Sequence, residues 1–104
     1  MIAEDFKMQG VNHSHFEPFV NSVFTGMKAD IQAEFKLIQV SVRRRINKGL
    51  FRENPFTLVF RCARKIILPQ GLYQMATTNF DPMDIFVTAV GADAEGIIYH
   101  AVFD

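Results

Sequence analysis

The sequence has one cysteine, Cys62, among 104 residues. A single thiol excludes an intrachain disulfide and any zinc site built on cysteines. No apolar run approaches the roughly 18 residues that span a bilayer as a helix. The opening Met1-Ile2-Ala3-Glu4-Asp5 puts acids where a secretory signal carries bases and an apolar stretch, so a cytoplasmic location is expected. The glycines form no phosphate-cradling motif, and no hydrolase, nucleotide-binding or redox signature appears. The most unusual absence is local: residues 66–104 contain no Lys or Arg. Their net charge is −5, against +7 for residues 43–65 and −2 for residues 1–42. The neutral total therefore hides three segregated blocks.

What is present is apolar. Hydrophobic residues make up 49% of the chain and eleven are Phe, which is material for one core and argues against disorder. One domain, residues 1–104, is expected, with residues 1–12 as an amino-terminal arm and no internal repeat. Ser14-His15-Phe16-Glu17 has capping-box spacing with Ser14 as N-cap. Pro18 disfavours helical geometry at Glu17, which leaves room for one helical turn through Phe19 and Val20. Val23, Phe24 and Thr25 suit a short strand closed by Gly26.

Alternation then takes over. Ile31 to Arg45 reads as a long strand whose inward set, Phe35 and Leu37, shifts phase to Val40 and Val42; such a slip predicts a β-bulge near Ile38-Gln39. Residues 46–55 read as a loop. Phe56, Leu58, Phe60 and Cys62 alternate with Thr57, Val59 and Arg61, a strand with one strongly buried face. Pro69-Gln70-Gly71 predicts a turn with positive φ at Gly71. Leu72 to Thr78 is the next strand, and Asn79-Phe80-Asp81-Pro82 breaks it. Asp84 to Val90 is β-branched and aromatic on both faces, which predicts a central or doubly covered strand. Gly91 to Gly96 is a hairpin loop, and Ile97 to Phe103 closes the chain. The expected fold is all-β: a small antiparallel barrel or sandwich of five or six strands with one short helical turn. Phe56, Leu58, Phe60, Val87, Ala101 and Phe103 are expected in the core.

Leu68-Pro69-Gln70-Gly71-Leu72-Tyr73, preceded by Phe56-Thr57-Leu58-Val59-Phe60-Arg61 and followed by Tyr99-His100-Ala101-Val102-Phe103, resembles an uncharacterised bacterial family of domains of unknown function. The resemblance runs from about residue 16 to the end, with Phe16, Phe19 and Phe24 matching the family's opening. Two positions depart from its pattern: Cys62-Ala63 stands where Gly and Pro are usual, and Thr88 where Pro is usual. The resemblance implies an all-β domain of unassigned activity, often encoded near phage-tail-collar-like proteins, and so a structural or assembly role.

The candidate chemistry is sparse. His13 and His15 offer two imidazoles, but a zinc site needs further ligands, so no metal or cofactor is expected. Cys62 shares the face of Phe56, Leu58 and Phe60, which makes it a packed thiol rather than an activated nucleophile. Glu17, Asp81, Asp84, Asp93 and Glu95 have no spacing that dictates acid–base work. No catalytic residue is assigned and no enzymatic activity is expected.

The basic block is the candidate site. Arg43, Arg44, Arg45, Lys48, Phe51, Arg52, Arg64 and Lys65 form the expected interaction surface, converging on one end of the domain if the strands around the loop pair as a hairpin. The leading reading is a non-enzymatic domain that acts by contact with another protein or a second copy of itself. A second reading is a nucleic-acid-binding barrel that uses the basic segment, with Phe51 stacking on a base. A third is a barrel holding a small apolar ligand. No membrane partner is expected.

Overall fold

In Phe56–Cys62 every second residue is buried, and the same period of two runs through the strands that pair with it. The computed structural model describes residues 11–43 and 55–104. Six strands are present there: β1 (Val23–Lys28), β2 (Ile31–Val42), β3 (Phe56–Cys62), β4 (Gly71–Thr77), β5 (Phe80–Asp93) and β6 (Gly96–Phe103). They are all antiparallel and close a barrel in the order β1-β2-β3-β6-β5-β4. Closure leaves the barrel rather than the sandwich as the fold, and it removes the exposed edges that an open sheet would carry.

The interior is aromatic. Phe35 meets Tyr99, Tyr73 and Phe60 edge-on, with ring centroids 5.4, 5.5 and 6.1 Å apart. This is the geometry that ring quadrupoles favour. All six residues expected in the core are buried, and Cys62 lies with them. Gly26 is inside β1 rather than its terminator. A Cβ there would stand 2.7 Å from the Phe35 ring and 3.0 Å from Met75 Sδ, so the missing side chain makes room for Phe35.

Each end of the barrel is plugged. At one end, Phe16 contacts Phe56, Phe80 and Phe103 with centroids 5.9, 5.8 and 5.7 Å away, over the stacked Phe56–Phe103 pair. The expected helical turn that carries it is a pair of 3-10 turns, His13–His15 and Glu17–Phe19. The N-cap is Asn12, not Ser14. Asn12 has extended backbone, its side chain accepts the Ser14 N–H, and its own N–H donates to His15 Nδ1. Pro18 falls in the first turn of the second segment, where its missing N–H is not required.

At the other end the β3–β4 connection crosses the barrel mouth, because β6 and β5 lie between β3 and β4. Leu68 is buried in this crossing. Its N–H donates to Tyr99 Oη at 2.9 Å, and Tyr73 Oη donates to the Pro69 carbonyl at 2.7 Å. Gly71 does have positive φ, 150°, but it opens β4 instead of sitting in a tight turn.

The irregularities have local causes. The bulge predicted in β2 is present between Leu37 and Gln39. Beyond it Val40 packs against the core, while Val42 is exposed. The predicted break at Asn79–Pro82 shrinks to the turn Thr78-Asn79. Asn79 tolerates φ of 64°, and Asp81 and Pro82 form a bulge facing Ala76, where proline's missing donor is harmless. The predicted Gly91–Gly96 loop shrinks to Ala94-Glu95, because Asp93 Oδ1 accepts the N–H groups of both Glu95 and Gly96. No helix among the described residues is long and apolar enough to cross a membrane.

Candidate functional site

The described members of the basic block do not converge. Arg43 ends the β2 side of the loop, and its N–H donates to the Pro55 carbonyl. Arg64 and Lys65 follow the far end of β3, about 20 Å along the strand at the usual rise per residue. Among the described charges, Arg43 and the Arg64–Lys65 pair do not share one end, because β3 runs the length of the barrel between them. Arg44, Arg45, Lys48, Phe51 and Arg52 lie outside the described residues.

The described cations are largely committed to their own chain. Arg43 Nη2 is 3.3 Å from Asp104 Oδ1. Arg61 grips Asp93 Oδ2 at 2.6 Å and reaches Glu95 at 3.5 Å. That hydrogen bond is the chief reason the Asp93 carboxyl is held below its ordinary range and the Arg61 guanidinium is raised. Arg64 donates to the Gln32 carbonyl at 2.7 Å. Lys65 is exposed. His13 is 2.9 Å from Glu17, and His15 is engaged with Asn12. Among the described residues no cluster of three His, Cys, Asp or Glu could hold a metal ion.

The barrel interior, which an apolar-ligand reading requires, is occupied by the rings of Phe24, Phe35, Phe60, Tyr73 and Tyr99, all fully buried. A groove of about 400 Å³ lies outside it, lined by Ile67, Leu68, Pro69, Gln70, Thr88 and Ala89. Thr88 of this lining also lies on the outer surface of β4, β5 and β6, where several large apolar side chains stand exposed.

β5 lies between β4 and β6, as every strand of the closed barrel lies between two neighbours, and among the described residues only its inner face is covered. Ile85 and Val87 are buried, whereas Phe86 is 52% and Val90 51% exposed. Val90 is the extra residue of the bulge between Ala89 and Gly91. Phe86 is paired directly with Leu72 of β4, which is 57% exposed. Val102 of β6, 54% exposed, lies on the same face two residues beyond His100, the partner of Thr88. The charged outward residue in this patch is Asp84, beside Gln74. The sequence signal for it was present in the two-sided apolar pattern of residues 84–90. That pattern predicts a central or doubly covered strand, and the described residues do not cover its outer face.

Residues 11–103 match the family described as a domain of unknown function (DUF6916). No curated protein and no solved structure matches the chain.

Proposed function

This chain belongs to the DUF6916 family, a domain of unknown function, and we propose that it is a non-enzymatic contact domain whose working surface is the outer wall of β4, β5 and β6. The observation that carries this reading is the uncovered face of β5. An antiparallel strand with one wet face alternates apolar and polar residues; β5 instead carries Phe86 and Val90 outward beside Leu72 and Val102. Side chains of this size grouped on one wall, with polar neighbours at Gln74, Thr88 and His100, have the anatomy of a protein–protein interface. Two of the groups that could do chemistry are engaged within the fold: Cys62 is packed in the core and Asp93 holds Arg61.

The finer assignment, an accessory place in a phage-tail-like or collar-containing assembly, rests on the resemblance in sequence. The wall suits it, since assembly proteins act through surface and not turnover. The test is affinity capture with the immobilised full chain, comparing wild type with a Leu72→Ser/Phe86→Ser variant of unchanged melting temperature. A partner identified by mass spectrometry should be lost from the variant. Partners captured equally by both would sink the assignment of this wall.

A further inference from the structure

We infer that the β4–β5–β6 wall is the two-fold interface of a homodimer, with Phe86 at its centre. The inference rests on the contact function proposed for this wall and names the occupant as a second copy of this chain. Three observations select a second copy.

The first is extent. Four large apolar side chains on this wall are each about half exposed, and Leu72, Phe86 and Val102 stand side by side across three strands. Gln74, Thr88 and His100 extend the exposed wall beyond that row, and a stable interface takes roughly 800 Å² from each partner. The second is charge balance. The chain is formally neutral at pH 7, and of the five acids in residues 66–104 Asp93 and Glu95 are offset by Arg61 and Asp104 by Arg43, which limits repulsion between two copies of the wall.

The third is the arrangement of the two titratable side chains that flank Phe86. Asp84 stands one step from Phe86 along the outer face of β5, and His100 lies beside Thr88, one step away in the other direction. Neither has an ion-pair partner among the described residues. A two-fold axis running across the strands through Phe86 stacks β5 on its copy with strand direction reversed. Rows then exchange: Asp84 of each copy is carried toward Thr88 and His100 of the other, while Leu72, Phe86 and Val102 meet an apolar row like their own. An imidazole N–H donating to a carboxylate closes each side of the apolar centre. The wall is self-complementary, which is the requirement for an isologous contact.

The test is sedimentation velocity on the full chain across about 5–200 µM, a range that reports dimers of micromolar affinity. Wild type should dimerise. Phe86→Asp should sediment as a monomer throughout with its melting curve retained. Asp84→Lys sets a lysine against His100, and His100→Glu sets a second carboxylate against Asp84, so each alone should weaken the dimer by about tenfold or more. Mixed in equal amounts, the two variants pair lysine with glutamate across one side and keep the native pair on the other, and the mixture should dimerise more tightly than either alone. A wild type that stays monomeric to the top of the range overturns the inference, as does a mixture no tighter than its components. A monomer whose wall still captures a different protein refutes the dimer and leaves the contact reading standing; association indifferent to Phe86 refutes both.

Discussion

Tyr99 and Tyr73 offer the sharpest probe of how the barrel is closed, because their hydroxyls hold the same crossing segment in opposite senses. Tyr99 Oη accepts the N–H of Leu68 inside the core, at 2.9 Å. Tyr99→Phe leaves that donor buried without a partner, and an orphaned buried N–H costs about 1–3 kcal/mol. Tyr73 Oη donates to the Pro69 carbonyl in a less enclosed setting, and Pro69 itself is exposed. Water can replace the lost donor there, so Tyr73→Phe should cost only about 0.5–1.5 kcal/mol, the ordinary net worth of a hydrogen bond. Neither change removes a ring from the core, so packing is nearly constant and the difference isolates the polar term. Chemical denaturation of both variants measures it.

The same burial pushes both phenols above their ordinary value of about 10, chiefly by desolvating the phenolate. Because the folded pKa is raised, the contribution to stability is complete below about pH 10 and is lost as pH climbs through the folded values. The chain has only these two tyrosines and no tryptophan, so absorbance at the phenolate band reports them alone. A folded protein whose phenols titrate at the free value, or equal costs for the two substitutions, would refute this closure.

Other outcomes depend on single positions. Gly96→Ala would drive a Cβ into the Cys62 carbonyl and within 3.0 Å of Ala63 Cα, at a φ of 153°; a loss of about 3 kcal/mol or more by denaturant melt is expected. Ala29 sits at φ 53° in the β1–β2 turn, so Ala29→Gly should stabilise by roughly 0.5–1 kcal/mol, the relief of left-handed strain less the added freedom of the unfolded chain. Cys62 is 2% exposed, so alkylation of the folded protein should be slow and should track unfolding; rapid labelling without denaturant would contradict its place in the core. Because the basic block is split and its described arginines are engaged within the chain, no saturable binding to DNA or RNA is expected at about 150 mM salt, and micromolar single-strand affinity there would revive the nucleic-acid reading.

How far the sequence could be read depended on whether a signal was local. The alternation in Phe56–Cys62 and the phase slip near Ile38-Gln39 are local, and both are found where the pattern places them. The turns were read too long because side-chain chemistry closes them more tightly than composition suggests: Asn79 accepts a left-handed φ, and Asp93 caps its own hairpin. The basic block misled for a non-local reason. Charges adjacent in sequence fall at the two ends of β3, and no count of arginines reveals that Arg61 faces Asp93, 32 residues away. β5 shows the opposite failure. Its two-sided apolar pattern asks for cover on both faces, and among the described residues only the inner face receives it. A barrel wall has only an inside and an outside, so a strand that is apolar on both needs something beyond the described residues to lie against.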